Sequence, residues 1–363
     1  MTIIESMNTE NLVGVAEIAS LAGVSKQVVS NWRRRYDDFP KPIQKLESGP
    51  VWNKEAIEAW VKSRRGEATH VLSFINLKGG VGKTTTAVGV AEILAQEHRK
   101  RVLVVDLDPQ TNATVTLIKE EKWLEMDKDG RTIAQLFVDK LNPQVPPRFD
   151  IERAIARQVS TINDGIAKLD LLPSSISLIS IQDRLPMIAM LDNYAERPTE
   201  ILRNAIEPIL GAYDYVIVDC PPSLGDVTKN GLRISTGYII PTIPDILSTW
   251  GIYQIVENVE KLARSIGITI PPLGIVATKV QGNNLHRRVM DELSLGRLGL
   301  FAKGTITQPR LFKASISQAV DVARGADVDA DRRTFKGKYG AKAYGEFQAL
   351  TQEIIQLCEK KNS

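Results

Sequence analysis

The stretch that decides the fold is Asn76–Thr86, NLKGGVGKTTT. It follows a short apolar run, HVLSFI (70–75), and precedes a helical pattern over 84–96, so it joins a buried strand to a helix. Gly79, Gly80 and Gly82, with Val81 among them, let the backbone close around an anion and turn its amide hydrogens toward the anion's oxygens. A helix starting near Lys83 adds the positive end of its dipole. In this pattern Lys83 reaches the β- and γ-phosphates of a nucleotide, Thr84 offers a hydroxyl to Mg²⁺, and Thr85 bonds the α-phosphate. The general pattern wants glycine where this chain has Leu77, and a second lysine, Lys78, stands ahead of the glycines.

Outward from the loop, further apolar runs repeat the strand signal: RVLVVDLD (101–108), LDLLPSS (169–175), YDYVIVDCPPS (213–223), GYIIPTIP (237–244) and LGIVATK (273–279). Helical patterns lie between them, notably at 197–210 and 249–265. Strands alternating with helices predict an α/β fold, a mostly parallel twisted sheet with helices on both faces. The stretch 119–168 is the least patterned, with helices expected near 132–140 and 150–158. Two aspartates end strands at the sheet edge where ligands bind in such folds. Asp219 suits a carboxylate that holds a water of Mg²⁺. Asp108 is placed to orient or deprotonate an attacking water near the same metal. Asp106 shares a face with Asp108 and is either a further member of the site or a structural partner of the loop.

Residues 1–66 have a different rhythm, and RRGEAT (64–69) reads as a linker to a second domain over 70–363. In VAEIASLAGVSKQVVSNWRRR, Val15, Ile18, Ala19 and Leu21 are followed by a turn, then by Val28, Val29 and Trp32 at helical spacing. Gly23 suits the end of the first helix and Ser25 the cap of the second, the sequence form of a helix-turn-helix. A hairpin or wing near Ser48-Gly49-Pro50 and a helix capped by Asn53 complete a small winged module. On its second helix Lys26, Gln27, Ser30, Asn31, Arg33 and Arg34 fall where base edges or phosphates of an operator are reached. Residues 26–45 hold six Lys/Arg and two Asp. A second basic stretch, with Arg332, Arg333, Lys336, Lys338 and Lys342 and no acid, suits sequence-independent DNA binding, although a solvated face looks the same.

Four motifs in order, KGGVGKTTT (78–86), VVDLDPQTNAT (104–114), LDLLPSSI (169–176) and YDYVIVDCPPSLG (213–225), resemble the ParA family of deviant Walker A partition ATPases. The resemblance runs from about residue 70 to 357. It implies ATP and Mg²⁺ as cofactors and a homodimer that sandwiches two ATP molecules. Lys78 matches the family's signature lysine, which crosses to the partner's phosphates, so Lys83 serves its own nucleotide and Lys78 its neighbour's. The resemblance also implies ATP-dependent binding to bulk DNA, slow hydrolysis stimulated by a centromere-binding ParB-like adaptor, and a cytoplasmic, nucleoid-associated protein that represses its own operon through the N-terminal module. The chain departs from the family at Asn112, where glycine is common, and in TQPR (307–310), near the expected base contacts.

Composition narrows the alternatives. The 363 residues carry 46 Lys+Arg against 43 Asp+Glu, a net +3, so DNA binding must come from local patches. Two cysteines form neither a metal-site spacing nor a disulfide framework, and Cys220 alone does not suit a metal enzyme of the nitrogenase-reductase type. No apolar run approaches a membrane span and the N-terminus lacks a signal-peptide pattern, so no membrane association is expected. A membrane-positioning relative of the MinD type would need a basic amphipathic C-terminal helix, whereas GEFQALTQEIIQLCEKK carries its lysines only at its end. The remaining rival is a transcription regulator switched by ATP.

Overall fold

Of the 363 residues, the computed structural model describes 11–22, 26–35, 38–46, 49–65, 69–191, 197–297, 301, 306–318 and 334–360. Gly23, Ser25, Ser48, Arg332 and Arg333 lie outside them, as do the side chains of Gln27, Asn31 and Arg34. The chain divides into two compact units, Met1–Thr69 with Ile206–Asp214, and His70–Ala205 with Tyr215–Ser363.

In the first unit β1 (Leu12–Val13), α1 (Val15–Ala22) and α2 (Lys26–Arg35) precede β2 (Gln44–Leu46), β3 (Gly49–Asn53) and α3 (Lys54–Arg65). The strands form an antiparallel sheet in the order β1-β3-β2. Trp52 is fully buried among Val13, Ile18, Val29, Phe39, Ile57 and Trp60, and its Nε1 donates to Pro40 O at 2.8 Å. Burying that indole without a partner would cost about 1–3 kcal/mol, so the loop carbonyl is part of the core's design. Asn53 caps α3 by accepting from Ala56 N at 2.9 Å.

The second unit is built on β4 (His70–Phe74), β5 (Val102–Asp106), β6 (Leu169–Leu172), β7 (Tyr215–Asp219), β8 (Gly237–Thr242) and β9 (Pro272–Ala277). They form one parallel sheet in the order β6-β5-β7-β4-β8-β9. β5 and β7 are apolar up to their terminal aspartates and buried along their whole length, as strands covered on both faces must be. The helices between and after these strands in the chain are α4 (Lys83–Gln96), α5 (Asn112–Lys128), α6 (Ile133–Leu141), α7 (Ile151–Ala154), α8 (Leu178–Gln182), α9 (Ile188–Leu191), α10 (Ile201–Leu210, of which the part from Ile206 belongs to the first unit), α11 (Asp226–Ile234), α12 (Ile246–Ile266) and α13 (Asn284–Ser294). The chain closes with α14 (Phe335–Tyr339) and α15 (Ala341–Lys360). Among the described residues no helix is long and apolar enough to cross a membrane.

The unpatterned stretch has a structural reason. α5 is broken at Lys119 (φ 63°, ψ 163°), so its apolar residues follow two helical phases rather than one. Ser160 N–H pairs with Leu117 O, on the turn just before the break, at 3.0 Å. The helix expected over 150–158 stops after one turn. Ala156 pairs instead with Leu171, adding an antiparallel bridge at the sheet edge.

α15 packs on α4, with Phe347 seated over Gly89. A Cβ built at Gly89 would lie 2.8 Å from the Phe347 ring, so only glycine permits this approach. Gly89→Ala should therefore overpack the junction and destabilise this unit by about 1–3 kcal/mol. A lowered urea midpoint with an unchanged slope is the expected result; an unchanged midpoint would show that the ring is free to move aside.

Candidate functional site

The glycine loop leaves the end of β4, whose onward connection runs toward β5 while that of its neighbour β7 runs the opposite way, toward β8. Asn76 braces its start. Its Nδ2 donates to Pro241 O (2.7 Å) and Thr242 Oγ1 (3.1 Å), and its Oδ1 accepts from Lys78 N (2.9 Å). Thr278 holds the middle by donating to Val81 O at 2.6 Å. Gly80 (φ 72°) and Gly82 (φ 83°) occupy the left-handed region, where a side chain would be strained. Gly82 then starts α4 without a side-chain cap, so the first-turn amides are left for another acceptor. A cavity of about 850 Å³ opens there, lined by Gly79, Gly80, Gly82, Lys83, Thr84 and Thr85 together with Asp108. An anion on this loop would meet amides, a helix N-terminus and an ammonium.

That ammonium belongs to Lys83, which is buried and donates to Lys78 O at 3.3 Å. Burial lowers its pKa, while the charges of Asp219 and Asp108 act to keep it protonated. Asp106 and Asp219 stand side by side in the β5–β7 register. Burial raises both carboxyls, Asp106 to about 7, and the charge of Asp106 raises Asp219 further. Asp106 is the structural partner. Its Oδ2 accepts from Thr114 N (2.9 Å) and Oγ1 (2.7 Å), and its Oδ1 from Asp108 N (3.0 Å), tying β5 to the start of α5. Asp108 lies nearer the cavity. Burial raises its pKa against the opposing pull of Gln110 N–H and Lys83.

Both carboxylate oxygens of Asp219 are buried without a well-formed hydrogen bond, although the Thr84 hydroxyl lies close enough to favour the charged form. An uncompensated carboxylate beside a half-buried threonine hydroxyl that lines the cavity fits a hard divalent cation, with Asp219, Thr84 and Asp108 as candidate oxygen donors. Among the described residues no group of three or more His, Cys, Asp or Glu is arranged to hold a metal by itself. A cation here would therefore take most of its ligands from phosphate and water.

Lys78 is not gathered into this cluster. Its side chain is 44% exposed, and its ammonium donates to Asp245 Oδ2 (3.2 Å) and Ser248 Oγ (2.8 Å). Asp245 is the cap of α12, accepting from Ser248 N at 2.7 Å. Against the effect of partial burial, Ser248 and Lys78 hold its carboxyl below the usual value. Asp245 and Ser248 carry the signature of a cap, an acid three residues ahead of serine at a helix start, yet nothing local marks them as partners of Lys78.

The expected DNA contacts divide. Lys26 is exposed at the start of α2, and Lys336 is exposed on α14. Ser30 Oγ bonds back to Lys26 O at 3.1 Å. The Arg33 guanidinium lies over the Trp52 ring at 4.9 Å, which ties it to the unit's core. Lys338 is a correction. It is buried, with Nζ 2.7 Å from Glu92 Oε1, while Tyr339 OH donates to Glu92 Oε2 at 2.7 Å and Ser160 Oγ to Oε1 at 2.6 Å. The short helix α14 turns Phe335, Lys338 and Tyr339 inward, so Lys338 offers no charge to DNA.

Comparison with known proteins places this geometry. The family model described as an AAA domain matches residues 69–270. The sporulation initiation inhibitor protein Soj of Bacillus subtilis is 31% identical over 226 residues, 61% of this chain and 78% of Soj. Among solved structures, a putative plasmid partition protein from Borrelia burgdorferi bound to AMPPNP shares the fold, with a TM-score of 0.58 at 20% identity, over 80% of this chain and 99% of that one. Cobyrinic acid a,c-diamide synthase from Mycobacterium smegmatis, with bound ADP and magnesium, has a TM-score of 0.55 at 26% identity, over 79% of this chain and 96% of that one.

The electrostatics give a test. Because folding raises the Asp219 pKa, the unfolded chain releases this proton first, and metal-free stability falls as pH rises above the ordinary carboxylate range. Asp219→Asn removes that penalty and relieves Asp106 of its like-charged neighbour. In metal-free buffer the variant's stability relative to the parent should grow between pH 5 and pH 8, by about 1–3 kcal/mol. Urea unfolding at each pH measures this; a difference independent of pH would contradict the assignment of Asp219 as the uncompensated charge.

Proposed function

The chain belongs to the ParA/MinD-type family of deviant Walker A P-loop ATPases, and from that membership we propose that it is a DNA-partition ATPase working as an ATP-sandwich dimer. It binds ATP with Mg²⁺ and hydrolyses it. The observation that carries the finer reading is the placement of two lysines about one loop. Lys83 is buried and faces the carboxylates, while Lys78 lies outside on Asp245.

In this reading the amides of Gly79–Thr85 and the Lys83 ammonium hold the β- and γ-phosphates of the chain's own nucleotide, and Thr85 bonds the α-phosphate. Thr84 and Asp219, with Asp108 beside them, would hold Mg²⁺, which when bound would supply charge neutralisation at the phosphates. Asp108 also orients the attacking water, and because burial raises its pKa it accepts a proton more readily than a free carboxylate. Lys78 leaves Asp245 and reaches the partner subunit's γ-phosphate. An exposed ion pair is worth about 0–1 kcal/mol, so exchange for a phosphate costs little. A charge supplied in trans makes nucleotide binding and dimerisation depend on each other.

Residues 1–66 form the operator-reading part and 70–363 the ATPase. Support for the first comes from the order helix, helix, antiparallel hairpin, helix, with Lys26 exposed at the head of α2 and Lys45 on β2. Bulk DNA is held through exposed basic residues such as Lys336, with Arg332 and Arg333 beside it in sequence. A ParB-like adaptor stimulates hydrolysis and resets the cycle on the nucleoid. The apolar face of α15 is covered, with Phe347, Leu350, Ile354 and Ile355 in the core, which argues against a membrane-binding tail.

Charge reversal separates the two DNA modes. The parent should bind random-sequence duplex with ATP and not with ADP. Lys26→Glu should keep this behaviour while losing about tenfold or more in affinity for the DNA upstream of its own gene. Fluorescence anisotropy on both duplexes measures it. Random-duplex binding that ignores the nucleotide would contradict the partition reading and favour a regulator switched by ATP.

A further inference from the structure

The cavity wall contributed by Ile316, Ser317 and Gln318 belongs to a segment that runs beside β9. Phe312 N–H donates to Ile275 O (2.9 Å), Ile316 N–H to Ala277 O (2.8 Å) and Gln318 N–H to Val280 O (3.0 Å). The amides between these turn away from the sheet and need other acceptors. Two carboxylates of α15 supply them. Glu353 accepts from Lys313 N (3.1 Å) and Ala314 N (2.7 Å), and Arg310 lies 3.6 Å from it. Glu346 accepts from Ser317 N (2.8 Å) and Ser317 Oγ (2.9 Å). Seven residues apart, the two glutamates lie on one face of the helix, two turns from each other. Gln281 Nε2 in turn donates to Gln318 Oε1, linking the wall to the loop after β9.

The same helix touches the phosphate loop's own helix. Phe347, next to Glu346, is the residue seated on Gly89 of α4. One turn of α15 thus sets the spacing between two parts of a single cavity, the helix that starts at Lys83 and the wall at Ser317 and Gln318. Only Glu346 reaches a residue that lines the cavity; the backbone Glu353 holds, at Lys313 and Ala314, does not.

We propose that Glu346 is a positioning residue for ATP, acting through Ser317 to hold the Ser317–Gln318 wall at the distance the bound nucleotide requires. The proposal rests on the reading of this cavity as the nucleotide site. Its consequence is a division of labour along one helix. Glu346 governs nucleotide affinity, and Glu353, with the same chemistry two turns on, serves only the fold.

The test is a matched set of full-length variants, with KM, kcat and urea midpoint measured for each. Glu346→Ala should raise the KM for ATP roughly tenfold and leave kcat within about twofold, since a displaced wall loosens binding without touching the reacting groups. Glu346→Gln should restore KM to near the parent's, because its amide oxygen still accepts from Ser317. Glu353→Ala should lower the urea midpoint and leave KM unchanged. Should Glu346→Ala fold poorly, Glu346→Asp keeps the charge, shortens the reach, and should raise KM in the same direction. Equal KM changes at both glutamates, or none at Glu346, would overturn the proposal and leave α15 a brace of the fold. A Lys83→Ala variant that binds ATP like the parent would instead overturn the placement of the nucleotide in this cavity.

Discussion

One buried ammonium beside an excess of buried carboxylates is the constraint on which the rest of the structure depends. Lys83 faces Asp108 and Asp219, while Asp106 presses on Asp219 from the neighbouring strand. Asp106 meets its burial with three donors, and Asp219 meets it with none that is well formed. The sheet and its helices hold this imbalance in place. In the protein alone it relaxes only by proton uptake, because β5 and β7 fix the two aspartates in register and α4 fixes the lysine. A Mg²⁺–nucleotide complex bound as proposed would supply the missing positive charge at the carboxylates and the missing negative charge at the loop, completing a site the fold has already shaped.

Lys78 shows a different economy. Its ion pair with Asp245 is partly exposed and weak, and that pair caps a helix rather than burying a charge. A strong pairing would hold the lysine in its own subunit. A weak one keeps it ordered near the phosphate loop yet ready to be taken by a stronger anion. In the proposed cycle, the nucleotide of a second subunit is that anion.

What the sequence made legible was local. The glycine loop, its lysine and its threonines are contiguous, and the strands are predominantly apolar runs, so the parallel α/β sheet could be read directly. The helix cap at Asn53 was legible for the same reason. The interactions that escaped reading join residues far apart in the chain. Lys338 lies 246 positions from Glu92, so nothing in RRTFKGKYG distinguishes a buried ammonium from a solvated one. Lys78 and Asp245 are 167 positions apart. α5 was missed because its break at Lys119 splits one helix into two phases. Asp106 and Asp108 looked alike on one strand end, and only the hydrogen bonds of Thr114 separate the structural aspartate from the one facing the cavity.

The central claim is that Lys78 completes the site of the other subunit. Mixing Lys78→Ala and Asp108→Ala proteins tests it most directly. In a mixed dimer the subunit with an intact Asp108 receives Lys78 from its partner, so one working site is regenerated. ATP turnover of the mixture should rise clearly above that of either variant alone, and light scattering should show ATP-dependent dimers. Turnover no greater than the sum of the separate variants, together with Lys78→Ala protein that dimerises on ATP like the parent, would show that Lys78 acts only within its own subunit.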